Sequence, residues 1–286
     1  MKTILGVVFG IAPSVLIVGF IIQWLFPGFA KFSATTKTIL RVVGIMSVIG
    51  LLVLGYLDYR NRHLQALYGR VVSPLTGSQD AVSAVRKIAT YRGRRATEIL
   101  LAVATSGSGW SEATGTRTAA IEELEKRDDP EVGATLADLL QPHESLRTRE
   151  MASAALERLP CTAECDAHIL HYLERVWRGE PNYEDRLNGG EETRAFIHKA
   201  QETVYERLII VLRREKISTL KNLAQIYGLG SDNPSLFALQ IVVRAKLVEA
   251  CPYLLRSANG LKTYSPSDYK APIAEVQAAV TELKCQ

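Results

Sequence analysis

The sequence predicts a mainly α-helical membrane protein. Residues 1–62 form a two-helix transmembrane hairpin, 63–178 an α-helical domain, 179–192 a linker or exposed loop, and 193–286 a small helical domain with one β-hairpin. Three observations predict this. Two long apolar runs sit near the start of the chain. The middle has apolar residues at three and four spacing. Near the end, Asn259-Gly260 separates two short runs, Tyr253-Leu254-Leu255 and Leu261-Lys262-Thr263-Tyr264, a hairpin signal because Asn-Gly suits tight turns.

The apolar runs come first. Ile4 to Phe26 carries no charge. Its 23 residues at about 1.5 Å each reach roughly 34 Å, enough for a hydrocarbon core of about 30 Å. The second run, Ile39 to Leu57, holds only Arg41, one turn from its start, where a long side chain snorkels to the headgroups. Trp24, Phe26, Phe29 and Phe32 mark one interface, and Tyr56, Tyr59, Arg60 and Arg62 the other. A cleaved signal peptide is the alternative for the first run. It fits poorly, because the apolar stretch is too long and Gly28-Phe29-Ala30 is a poor cleavage site. Gly6, Gly10 and Ser14 make a small-residue stripe that would pack on Gly44, Ser47 and Gly50 of the second run. Pro13 predicts a kink.

Charge is unevenly placed. Residues 1–77 hold seven basic side chains (Lys2, Lys31, Lys37, Arg41, Arg60, Arg62, Arg70) against one acid, Asp58, in a chain whose net charge is only +4. The remainder is therefore net negative, which argues against a nucleic-acid footprint and for charge that serves the membrane surface. With a cytoplasmic N-terminus, four basic residues face that side and three the other. This bias places the soluble part in the cytoplasm of a bacterial-type inner or plasma membrane.

In the middle, helices are predicted over Asp80–Tyr91, Arg94–Thr105, Ser111–Lys126, Glu131–Leu140, Ser145–Leu159 and Thr162–Trp177. Ala119-Ala120-Ile121-Glu122-Glu123-Leu124 returns about 35 residues later as Ala154-Ala155-Leu156-Glu157-Arg158-Leu159, with Asp129-Pro130 and Ser145-Leu146-Arg147 between. This stretch resembles a HEAT repeat, which implies stacked helix pairs and an extended binding surface. An irregular helical bundle is the alternative.

The C-terminal pattern gives a helix from Thr193 to Arg214, a short helix over Thr219–Leu229, a helix over Pro234–Ala250, the hairpin, and a last helix from Ala271 to Lys284. Helix, short helix, turn, helix, hairpin resembles a winged helix-turn-helix. Its recognition helix offers only Gln240 and Arg244 to base edges, while Phe237 and Ile241 are apolar. The resemblance therefore implies a protein contact through Phe237, Ile241, Arg244, Arg256 and Lys262 rather than DNA reading.

No catalytic, cofactor or metal motif is found. Cys161, Cys165, His168 and His171 share a helix face, but Cys161 and His171 lie about 15 Å apart along the axis, too far for one ion. They read instead as a partly buried face. Cys251 and Cys285 read as isolated, and four cysteines suggest no disulfide framework. His143-Glu144 lacks the second His of a zinc-protease helix. Ser106-Gly107-Ser108-Gly109 is no nucleophile elbow. The expected function is a membrane-anchored scaffold or adaptor with a protein partner or self-association. Alternatives are a membrane-bound DNA regulator and a membrane-perturbing effector that oligomerises through the hairpin. No small-molecule substrate is indicated.

Overall fold

The computed structural model describes residues 34–106, 115–127, 129–141, 143–180, 191–261 and 270–285. Helix α1 runs unbroken from Ala34 to Val72. Its 39 residues at about 1.5 Å each extend roughly 58 Å, nearly twice the apolar thickness of a bilayer. From Val42 to Leu57 it carries no charge and is apolar all round. Val42, Met46, Leu51 and Leu54 are more than half exposed. A helix apolar on every face suits lipid rather than water. Val42–Val72 is long and apolar enough to cross a membrane. Beyond Leu57, Asp58, Arg60 and Arg62 make the helix polar, and Arg62 pairs with Asp58 at 2.9 Å.

The expectation of two spans is corrected: among the described residues there is one candidate span. The expected first span, Ile4 to Phe26, lies outside the described residues. The chain divides into two compact units, a first over 1–66 and a larger body over 67–286.

That body is all helix among the described residues. It consists of α2 (Ser78–Ala89), α3 (Arg94–Thr105), α4 (Thr116–Leu124), α5 (Pro130–Asp138), α6 (Leu146–Arg158), α7 (Ala163–Trp177), α8 (Glu191–Arg214), α9 (Lys216–Tyr227), α10 (Leu236–Arg244), α11 (Cys251–Leu261) and α12 (Lys270–Glu282), with a 3₁₀ turn at Val248–Ala250. Helices α2, α3 and α4 pack together, α4 and α5 both pack on α6, and α8 lies along α6. Helix α7 bridges α5 to α9, and α12 covers α10 and α11. The apolar periodicity becomes a continuous core that includes Ile88, Leu100, Ile121, Leu136, Leu156, Ile169, Val204 and Leu223. Starts are capped as the residue types predict. Asp129, Ser145 and Thr162 accept from the main-chain N–H of Glu131, Thr148 and Cys165.

The expected β-hairpin is wrong. No strand occurs among the described residues, and α11 runs straight through Asn259-Gly260 to Leu261; Lys262 lies outside them. Gly260 serves packing rather than a turn. A Cβ there would overlap the Asp232 carboxylate in the loop before α10, so glycine lets that side chain lie directly against the helix. Without its wing, the winged-helix expectation does not hold.

Arginines tie the helices together at their ends. The Arg117 guanidinium donates to the Ala104 carbonyl in the last turn of α3 at 2.6 Å and pairs with buried Glu144 at 2.7 Å. Arg127 donates to the carbonyls of Ala89, the last residue of α2, and of Tyr91 just past it, and to the Thr97 hydroxyl. Arg213 donates to Ala245 O at the end of α10. These carbonyls are left unpaired by the helices themselves, and the helix dipole favours a cation beside them.

Candidate functional site

A groove opens where α7, α10 and α12 meet. Trp177, the last residue of α7, forms one wall. Leu236, Leu239, Gln240 and Val243 of α10 form the floor, and Glu275, Ala278, Ala279 and Glu282 of α12 the other wall. Its volume is about 310 Å³, the lower end of the range for ligand clefts. Local sequence explains this shape. Helix α10 is apolar on nearly every side. Phe237, Ile241 and Val242 fill the core, leaving Leu236 43% exposed at the groove. Alanines at 278 and 279 let α12 approach closely without filling the space.

The floor is braced from below. Phe237 is fully buried, with its ring 6.0 Å from Trp177 and 5.1 Å from Tyr227. Such tilted aromatic contacts hold rings in fixed orientation. The Tyr227 hydroxyl donates to Glu174 at 3.1 Å. Burial, then the adjacent Glu174 carboxylate, raises its pKa, so this donor keeps its proton. Trp177 therefore stands on a rigid base, 43% exposed, next to Leu236, which also lines the hollow holding Ile226. Trp177, Leu236 and Ile226 are all exposed apolar residues. Together they leave apolar surface in contact with water.

Most expected contact residues lie elsewhere. Phe237 and Ile241 are buried and support the groove from inside. Arg244 pairs with Glu206 at 3.3 Å and lies 4.9 Å over the Tyr205 ring. Arg256 is exposed on α11, and Lys262 is outside the described residues. Of the expected membrane residues, Gly6, Gly10, Ser14 and Trp24 lie outside the described residues. Ser47 donates to its own helix at Val43 O, and nothing described comes within 4 Å of a Cβ placed on Gly50. Helix α1 includes Arg41, and Tyr56, Tyr59 and Arg62 are exposed on it. Gly44 and Arg60 are half-buried there.

The polar cluster nearest to chemistry is Asp166, on the first turn of α7. It accepts from the hydroxyls of Ser218 and Thr219 on α9. Burial pushes its carboxyl up to about 7. Asp166 is fully buried, so no substrate reaches it, and the cluster joins two helices. Among the described residues no group of His, Cys, Asp and Glu could hold a metal. His168 pairs with Asp138.

The cysteine reading needs correction. Cys161 is joined to Cys165 and Cys251 to Cys285 by disulfides. Sequence reasoning placed Cys161 on the helix face, but it precedes the N-cap Thr162. Off the helix, it is free to bend back to Cys165.

No family model, curated protein or solved structure matches this chain.

Proposed function

We propose that this chain is a membrane-anchored scaffold whose helical body binds a segment of another protein in the groove between α7, α10 and α12. The observation that carries the reading is the composition of that groove. A largely apolar floor, interrupted by Gln240, and the Trp177 wall face a wall bearing two carboxylates, Glu275 and Glu282, on one helical face at i and i+7. The complementary occupant has an apolar side chain for the floor and Lys or Arg on its flank, because burying unlike groups in register favours that partner over others.

The anchor lies within Val42–Val72, the stretch long and apolar enough to cross a membrane. The body's architecture supports a binding role. Ala120 and Ala155, equivalent in the sequence repeat, are both fully buried where α4 packs on α6. This supports a HEAT-like stack, a form that presents extended surfaces to partners.

Capture from gently solubilised membranes tests the reading. The full chain should retain a partner that the double variant Glu275→Arg, Glu282→Arg retains about tenfold less well, since two reversed rim charges of roughly 0.7 kcal/mol each give that ratio. Equal capture by both chains, or no partner retained by either, would sink the groove reading.

A further inference from the structure

We propose that the helical body folds and works on the oxidising side of the membrane, opposite to the side that the slight charge bias favours. All four cysteines of the chain are engaged, in two separate pairs. The pairs are of different kinds. Cys161–Cys165 clips the entrance of α7 onto its own first turn, with Cα atoms 5.4 Å apart. Cys251–Cys285 links the start of α11 to the residues just past α12 across 34 positions, with Cα atoms 5.3 Å apart. Both separations lie in the narrow window a disulfide allows. The second pairing depends on tertiary packing, so the two are independent observations of the same chemistry.

Compartment follows from redox chemistry. Cytosolic reductants keep accessible pairs open, whereas secreted and periplasmic domains keep theirs closed. Cys251 and Cys285 are half-buried, so a reducing solvent would reach them. Charge opposes this placement only slightly, by three basic residues on the body's side of the apolar stretch against two on the other. Lys37 and Arg41 precede the apolar stretch of α1, and Arg60, Arg62 and Arg70 follow it, with Arg62 already paired to Asp58.

The chemistry balances with a disulfide-carrying thiol oxidoreductase as oxidant. The Cys285 thiolate attacks one sulfur of the carrier's disulfide. That bond breaks, and one carrier thiolate leaves. The Cys251 thiolate then attacks the Cys285 sulfur of the mixed disulfide and expels the second carrier thiolate. The chain loses two protons and two electrons per pair, and the carrier gains the electrons as a dithiol.

One consequence rests on the groove reading above. Helix α12 supplies Glu275 and Glu282, and is held by Val276, Ala279 and Leu283 together with the Cys251–Cys285 bond. Closing that bond fixes the acidic wall.

Thiol trapping of the full chain in its own membrane provides the test. Cells are quenched in acid, denatured, and treated with a polyethylene-glycol maleimide before and after reductant. The expected result is no gel shift before reduction and four additions after it. Additions to two or more cysteines before reduction would overturn the proposal. In a parallel arm, Leu75→Cys, at a position 95% exposed, is probed in sealed cells or spheroplasts with a membrane-impermeant maleimide. Labelling without lysis is expected, and labelling only after lysis overturns the placement. Closed cysteines with failed partner capture would count against the groove alone.

Discussion

Arg214, at the end of α8, donates through Nη1 to the main-chain oxygen of Glu157 at 2.6 Å. Its Nη2 reaches the carbonyls of Leu156 and Leu159. One guanidinium thus closes the C-terminal turn of α6 from a neighbouring helix. Arg207, two turns earlier on α8, donates to Glu150 O at 3.2 Å, so the two arginines lash α8 to α6 along its length.

Arg214→Ala should therefore destabilise the body by about 2–4 kcal/mol. Hydrogen bonds to charged donors contribute roughly 1.5–3 kcal/mol, and the orphaned carbonyls add their own desolvation cost. Arg214→Lys should recover less than half of this, because an ammonium lacks the planar fork that meets several carbonyls at once. Denaturant unfolding of the full chain in detergent, followed by tryptophan fluorescence, measures both. A lysine variant as stable as wild type would refute the fork argument.

These arginines show what the sequence does and does not disclose. The helix over Arg94–Thr105 was legible at both ends, because its apolar period is clean. The apolar character of Val42–Leu57 was equally plain. Arg117, Arg127 and Arg214 were not legible as clasps, because their acceptors are carbonyls 13 to 58 residues away and carbonyls have no sequence signature. Asn259-Gly260 misled for a related reason. The glycine answers to Asp232, a tertiary neighbour, so local turn chemistry gave the wrong element. The groove was hidden likewise. Phe237 and Ile241 were visible as apolar, but which face of α10 is buried depends on where α12 packs.

Asp166 predicts a distinctive pH dependence. Its folded carboxyl is pushed up to about 7 by burial first, with Glu215 adding to the rise and Ser218, Thr219 and Arg214 opposing it. The unfolded value is about 3.9. The native state thus binds more protons than the unfolded state between these values. Its contribution favours folding below about pH 4, declines as pH rises toward 7, and is a full penalty above that. Asp166→Asn should remove the penalty, stabilising the body by about 1–3 kcal/mol at pH 8 and little or not at all at pH 4. Melting temperatures of both proteins across that range provide the measurement. A gain that does not grow with pH would contradict the sign.

Glu144 carries the reverse risk. It is nearly buried and pairs with Arg117, which is 3% exposed. Removing one member of such a pair strands the other charge in the core. Glu144→Leu should cost about 3–5 kcal/mol, and Arg117→Met with Glu144→Leu together should cost less than Glu144→Leu alone. A double variant at least as unstable as the single would mean that the arginine's bond to Ala104 O outweighs the ion pair.

Gly133, on α5, separates two opposing backbone effects. A Cβ there would sit 2.8 Å from the Pro160 carbonyl oxygen and 3.6 Å from the Cys165 sulfur. Helix propensity alone makes Gly→Ala favourable by up to about 1 kcal/mol. Overpacking against a fixed neighbour costs about 1–3 kcal/mol. The neighbour here is main chain, held beside the Cys161–Cys165 bond, so it has little room to yield and the clash should win. Gly133→Ala is expected to lower stability by about 1–2 kcal/mol in the oxidised protein. Reducing the disulfide should shrink that deficit, because Pro160 is then freer to move away. Unfolding midpoints of wild type and variant, each with and without reductant, measure it. A Gly133→Ala chain more stable than wild type when oxidised would show that α5 and the Pro160 segment are packed less tightly than this contact requires.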